Sequence, residues 1–229
     1  MADKKTIEKK GHLHVSYARD TYDLEDAEQR ARDYYQWLDT RRTVRDISSK
    51  PVSRALIENL IMAGSTAPSG AHKQPWTFCA VSNSETKKAI REAAEQAEYE
   101  SYTSRMSDRW LKDLKPMGTD WHKPFLEDAP WLVIVFKRNY ENEEGEKKNN
   151  YYVNESVGIA CGMIISAIHK AGLVTLTHTP APMKFLSKIL NRPENERPYL
   201  LLPVGYPKDE VYVPDIERKS LEEVAVFYE

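Results

Sequence analysis

Three groups of residues in this chain have the types and spacing to hold an anion. The first is the stretch from Ser65 to Phe78, Ser-Thr-Ala-Pro-Ser-Gly-Ala-His-Lys-Gln-Pro-Trp-Thr-Phe. Ala67, Ser69, Gly70 and Ala71 are small and leave their amide N–H groups uncovered, Pro68 stiffens the turn, and Gly70 can take a positive φ. Exposed amides of this kind suit an anionic or phenolic ligand. Standing alone, the same residues read as an ordinary Gly/Pro turn. The second group is Arg41, Arg42 and Arg45, interleaved with Thr43 and Val44. Guanidinium forks so close together suit a phosphate or a carbonyl edge, provided that Val44 anchors the segment. The third group is Glu98 with Tyr102, four residues apart and so on one helix face, and Lys123 in the Trp/Pro/Gly-rich segment 109–124. Read from the residues alone, such a set is most often surface decoration. On a wet surface the same pair is worth under about 1 kcal/mol.

Other chemistries find no support. There is no Walker phosphate loop, no Gly-x-Gly-x-x-Gly turn, no Gly-x-Ser-x-Gly elbow and no His-x-x-x-His pair among the six histidines. His72 and His178 stand as candidates for polar contacts near a site, or as satisfied structural histidines. With 33 Lys plus Arg against 35 Asp plus Glu and a net charge of −2, nothing attracts nucleic acid or an anionic membrane. Cys79 and Cys161 lie in apolar runs, which suits reduced, buried thiols. The charged N-terminus has no apolar stretch behind it and Val157–Ile168 is too short and too interrupted to span a bilayer. A cytoplasmic protein is expected.

The elements that must position these groups can be read from periodicity. Residues 1–23 are charged and aperiodic and read as an extended arm. Helices are expected at Leu24–Leu38, at Ser53–Met62 with Gly64 ending it, at Glu85 to about Met106, at Asn154–Lys170 and at Met183–Leu190. Strands are expected at Phe78–Val81, Trp131–Phe136, Leu173–Pro180 and Tyr199–Val204. The run Trp131-Leu-Val-Ile-Val-Phe136 is continuously apolar, as a strand buried on both faces must be. The stretch Asn139–Asn150 reads as a mobile loop. Gly158 and Gly162, one turn apart, would let another helix approach that from Asn154 to Lys170.

Taken together, Arg-Arg-Thr-Val-Arg at 41–45, Thr-Ala-Pro-Ser-Gly-Ala-His at 66–72, Leu-Val-Thr-Leu-Thr-His-Thr-Pro at 173–180 and Leu-Pro-Val-Gly-Tyr-Pro at 202–207 resemble the nitroreductase superfamily of flavoproteins. With Glu98, Tyr102 and Lys123 added, they resemble the branch that removes halide from halotyrosines. The resemblance runs from about Tyr35 to Val226. It implies an α+β, nitroreductase-like fold, an intertwined, domain-swapped homodimer with a central mixed sheet flanked by helices, and two FMN molecules each touched by both subunits. It divides the chain into the arm, 1–23, and an FMN-binding domain, 24–229, with an active-site lid at about 98–124.

On that resemblance, Arg41, Arg42, Thr43, Arg45 and Arg218 hold the FMN phosphate and ring edge, with Thr43 where relatives carry serine. Pro68, Ser69 and Gly70 line the flavin, and the Ala71 amide faces the substrate's phenolate. Glu98, Tyr102 and Lys123 clamp the amino-acid head group. Thr179 places a hydroxyl beside flavin N5 and favours one-electron transfer, flanked by Thr177 and by His178, where relatives often carry threonine. The implied activity is reductive dehalogenation of mono- and diiodotyrosine, and of bromo- and chlorotyrosine, with electrons ultimately from NAD(P)H or by way of a flavin reductase. Two other readings stay open: a general nitroreductase or quinone reductase, which has no use for a zwitterion clamp, and a non-catalytic FMN or amino-acid binding protein.

Overall fold

The computed structural model describes residues 5–17 and 19–229; the first four residues of the expected arm and Ala18 lie outside them. By contacts the chain divides into two compact units, the first ending at Arg41 and the second beginning at Arg42.

In the first unit, β1 (Thr6–Lys9) and β2 (His12–Val15) pair as an antiparallel hairpin. Lys10 and Gly11 both take positive φ, 51° and 77°, the geometry that a two-residue turn needs to follow the strand twist. The segment read as an extended arm therefore carries a hairpin. Helix α1 (Leu24–Asp39) starts at Asp23, whose side chain accepts the Asp26 amide at 2.9 Å, and buries no residue.

The second unit is a sheet covered on both faces. Helix α2 (Arg54–Ser65) is capped by Ser53, and strand β3 (Trp76–Val81) follows the small-residue loop. Helix α3 (Ser84–Glu100), capped by Asn83, continues into one π-helical turn at Ser101–Arg105. Two short helices, α4 (Asp108–Leu114) and α5 (Phe125–Asp128), lead to strand β4 (Trp131–Arg138). A hairpin of β5 (Tyr140–Glu143) and β6 (Glu146–Asn149) precedes the long helix α6 (Val153–Lys170). Strand β7 (Val174–Thr175), helix α7 (Lys184–Ile189), strand β8 (Glu196–Gly205) and helix α8 (Leu221–Val224) complete it.

The main sheet has the order β3-β4-β8-β7, and every pair is antiparallel. This corrects the expectation of a mixed sheet. Val81 pairs with Leu132 and Arg138 with Glu196, so the chain leaves and re-enters the sheet at the same end, which yields antiparallel neighbours. Strand β4 explains its own composition. Val133 and Val135 pack with Ile57, Leu60, Ala160 and Ile164 of α2 and α6, whereas Leu132, Ile134 and Phe136 pack with Ile90, Leu126 and Leu186 on the other side.

Two local readings are overturned. Gly64 lies inside α2, and a β-carbon on it would meet Ile164 Cβ at 3.0 Å and the Ala160 carbonyl at 3.3 Å. Within one subunit it is the α2 glycine that brings the helices together; Gly162 has nothing of its own chain within 4 Å and Gly158 only the Tyr199 hydroxyl, at 3.3 Å, so the approach expected at these two is not made inside the chain. The supposed mobile loop 139–150 is the β5–β6 hairpin, turned at Glu144 and Gly145 with φ of 54° and 84°. Its strands are charged on both faces, so no apolar alternation announced them. Cys161 is buried, Cys79 is only half-buried, and both are unbridged.

Gly64→Ala is expected to lower stability by about 1–3 kcal/mol, because a methyl must displace a β-branched side chain and a helix backbone. A thermal melt showing no loss would refute the close approach of α2 to α6.

Candidate active site

Arg45, the set of Glu98, Tyr102 and Lys123, and the segment Thr177–Thr179 converge because the backbone ties distant segments together. The Val44 amide donates to the Thr175 carbonyl at 3.3 Å and Val44 is buried, so the arginine segment is anchored, with Arg45 beside the end of β7. Past β7 the chain stays extended, and His178 exchanges backbone hydrogen bonds with Leu201 at 2.9 and 3.0 Å. The alternation that follows turns His178 inward and Thr177 and Thr179 outward.

These segments and the end of α3 enclose a cavity of about 260 Å³ lined by Arg45, Glu98, Tyr102, Lys123, Thr177, His178 and Thr179. The hydroxyls of Thr177 and Thr179 meet no partner among the described residues. Tyr102 sits in the π-helical turn, a distortion common where a helix serves a site, and still shares a face with Glu98. The structure adds residues that the sequence did not single out: Ser101, Arg105, Met106, Leu114, Thr119, Phe125 and Ala181, with Trp110 on α4. Arg105 donates to the carbonyls of Ala181 at 2.9 Å and Ala97 at 3.1 Å and pairs with Glu100 at 2.9 Å. Its position on the helical period of Glu98 and Tyr102 was the available signal.

The charges are withdrawn from water. The ammonium of Lys123, only 4% exposed, lies 3.7 Å from the Glu98 carboxylate and donates to Thr119 Oγ1 at 3.3 Å and to the Asp120 carbonyl. It also stands 5.7 Å from the centre of the Tyr102 ring, and the Tyr102 hydroxyl donates to the Thr119 carbonyl at 3.3 Å. Burial pushes Glu98 up against the pull of Lys123, pushes Lys123 down against the pull of Glu98, and pushes Tyr102 up with help from Glu98. Arg45 is likewise pushed down by burial. A single long bond of 3.4 Å, to the Met117 carbonyl, occupies its guanidinium, leaving donors aimed at whatever enters.

The other predicted residues are not in this cavity. Ser69 Oγ accepts the Gln74 amide at 2.9 Å, and the Gly70 amide reaches Ser156 Oγ at 3.4 Å. Positive φ falls not on Gly70 but on Ala71, His72 and Gln74, at 49°, 54° and 47°, each costing roughly 1–2 kcal/mol. Gly70 is glycine for space: a β-carbon would lie 2.9 Å from Tyr152 Cδ2 and 3.0 Å from the Tyr151 carbonyl. Pro68 is exposed, as is Ala71, whose amide has no acceptor among the described residues. Arg42 donates to the Pro214 carbonyl of the tail, Thr43 is half-buried and Arg218 is exposed. Arg41 ends the first unit, its amide bonded to the Leu38 carbonyl at 3.0 Å. His72 Nε2 lies 3.1 Å from the side-chain Nε2 of Gln74, the plain structural role weighed for it. Among the described residues no group of three or more His, Cys, Asp or Glu could hold a metal ion, and no helix is long and apolar enough to cross a membrane.

Residues 38–206 match the Nitroreductase family. An iodotyrosine deiodinase of Haliscomenobacter hydrossis is 56% identical over 215 residues, spanning 93% of this chain and 97% of that one. The chain belongs to the nitroreductase family and, within it, to the iodotyrosine deiodinases. Iodotyrosine deiodinase 1 of Mus musculus, 43% identical, aligns with 93% of this chain and 75% of its own. A crystal structure of oxidized iodotyrosine deiodinase bound to FMN and 3-iodo-L-tyrosine superimposes with a TM-score of 0.73 at 30% identity, covering 86% of this chain and 98% of that one. A nitroreductase with bound FMN from Bacteroides fragilis shares the fold, with a TM-score of 0.62 at 20% identity. The nitroreductase-like architecture of helices around an antiparallel sheet is thus the family's.

Within this deiodinase, His178 carries a pH signature. Burial, with Lys123 and Arg45 nearby, pushes it from its ordinary 6.5 down to about 3, and its Nε2 is buried without a partner. Between those values the unfolded chain binds a proton that the folded chain refuses, so stability falls as pH drops through the window, by up to about 1.4 kcal/mol per unit. Above 6.5 this group contributes no slope. Denaturant titrations at about pH 7.5 and pH 5 should show the wild type losing roughly 2 kcal/mol more than His178→Thr, and equal losses would exclude a buried neutral imidazole.

Proposed function

We propose that this protein is an FMN-dependent reductive dehalogenase of mono- and diiodotyrosine, acting on bromo- and chlorotyrosine as well. The observation that carries the reading is the convergence of Glu98, Tyr102 and Lys123, out of water, in one cavity with Arg45, Thr177 and Thr179. A free amino acid brings an ammonium and a carboxylate. The ammonium meets Glu98, and the carboxylate meets Lys123 and the Tyr102 hydroxyl. Each incoming charge opposes the effect of burial on its partner, so substrate and clamp stabilise one another's ionised forms.

The donor set fits FMN. Arg45 has unspent guanidinium donors, Thr177 and Thr179 present unpaired hydroxyls, and the loop of Ala71 offers that residue's free amide. Arg42, Thr43 and Arg45, with Arg41 next to them in the chain and Arg218 in the tail, would take the phosphate and the electron-rich ring edge; Pro68, Ser69 and Gly70 would lie along the ring. When bound, the cofactor supplies the two electrons that, with one proton, replace a carbon–halogen bond by carbon–hydrogen and release halide. The Thr179 hydroxyl, beside the flavin N5 in this reading, tunes that delivery. His178 adds backbone contact beside it. The lid, residues about 98–124, closes over the substrate with Trp110 and Leu114 and keeps water from the clamp.

The active form in this reading is a homodimer with FMN between subunits. Support comes from the loop of Pro68–Ala71 lying outside the cavity of its own subunit, from α1 burying nothing and from the exposed Ile159 of α6 and Phe227 and Tyr228 of the tail. Electrons would come ultimately from NAD(P)H through a flavin reductase, and the unbridged cysteines suit a cytoplasmic setting.

The test is anaerobic titration of dithionite-reduced, FMN-loaded protein with diiodotyrosine. Stoichiometric flavin reoxidation with iodide release is expected; a flavin that stays reduced would sink the proposal. Glu98→Gln should retain FMN and weaken iodotyrosine binding by roughly 10- to 100-fold, the loss of one charged hydrogen bond. Unchanged affinity would remove Glu98 from the clamp.

A further inference from the structure

The loop Ser69–Gln74 holds three non-glycine residues at positive φ, and such a backbone persists only where its surroundings over-determine it. Its N-terminal side is tied by Gly70 to Ser156, a buried serine of α6. Its C-terminal side is tied by the Gln74 amide to Ser69 Oγ at 2.9 Å, by the Trp76 amide to the Gln74 carbonyl at 2.8 Å, and by one side chain from outside the loop, Arg138 at the end of β4. The Arg138 Nη2 donates to the Gln74 carbonyl at 3.0 Å, and its amide donates to the Pro75 carbonyl at 2.9 Å. Its Nη1 is held by Glu141 at 3.2 Å. Asn150 closes the cluster, donating to the Arg138 carbonyl at 2.8 Å and to the other Glu141 oxygen at 3.1 Å. The Arg138 Nε–H is buried without an acceptor, a cost that marks the guanidinium as set by its other contacts.

We infer that Arg138, oriented by Glu141 and Asn150 of the β5–β6 hairpin, is a positioning residue that fixes the Ala71 amide as the donor for an anionic ligand oxygen. The amides of Gly70, His72, Lys73 and Gln74 are all occupied within or beside the loop. That of Ala71 is not, and its direction depends on the φ values on either side. A guanidinium that shares the Gln74 carbonyl with the Trp76 amide, and reaches it from outside the loop, therefore bears on where the free N–H points. The inference rests on the function proposed above, with the halotyrosine phenolate as the oxygen.

The experiment measures diiodotyrosine binding to FMN-loaded protein across the pH range in which the iodinated phenol ionises. The wild type should bind more tightly as the phenolate forms. Arg138→Met should bind the phenolate about tenfold more weakly and lose most of that pH dependence, with its melting point and FMN content retained. Should Arg138→Met fail to fold, Glu141→Gln, which removes only the charged partner of the guanidinium, should flatten the same profile by a smaller factor. A folded variant with the wild-type pH profile overturns the inference, whatever its overall affinity. A wild type that binds diiodotyrosine without any pH dependence also overturns it, and a wild type that does not bind diiodotyrosine overturns the proposed function and this inference with it.

Discussion

Trp131–Phe136 places six apolar side chains in succession, and in an extended chain these point alternately to the two sides of a sheet. Neither side can then be left to water. Fully burying each such side chain contributes about 1.5–3 kcal/mol, so the strand demands helices on both faces: α2 and α6 on one, α3, α5 and α7 on the other. The second demand creates the site. Covering β4 with α3 brings its C-terminal end, with Glu98 and Tyr102, over the end of β7 and the extended residues that follow it. Phe125 and Leu126 of α5, buried under the same helix, carry Lys123 in beside them.

Inside the cavity the balance of forces is electrostatic. Lys123 and Glu98 are too deep to be solvated and too far apart, at 3.7 Å, to satisfy one another fully. A buried pair of this kind gives weak support to the fold, because desolvation offsets much of the mutual attraction. It is well suited to a ligand that brings one charge of each sign. Arg45 adds a second cation to the cavity, and burial, helped by these two cations, keeps His178 neutral.

The helices beginning near Ser53 and Glu85, the two-faced strand and the small-residue loop were all legible because each rests on interactions between residues near one another in the chain. So was the pairing of Glu98 with Tyr102, since helical period alone puts them on one face. The β5–β6 hairpin was not legible: its strands bury nothing, and its only signal was Glu144-Gly145 at the turn. The role of Gly70 was misjudged for a related reason. Sequence can mark a glycine as free to take positive φ, but only packing shows that Tyr151 and Tyr152 leave no room for a β-carbon.

The sequence by itself determined most of the helices and strands through apolar periodicity and, through its resemblance to the nitroreductase superfamily, the fold class and the residues of the clamp, since periodicity and motif spacing are local properties. Tertiary structure decided which of those residues meet. Arg45 reaches Thr177 and Thr179 through one backbone bond between Val44 and Thr175, a contact that no local pattern encodes. It also decided that Gly64 brings α2 against α6 within the subunit, and that Arg138 bonds a carbonyl of a loop more than sixty residues before it. Such contacts follow from how two covered faces close around a sheet, and that closure is a property of the whole chain.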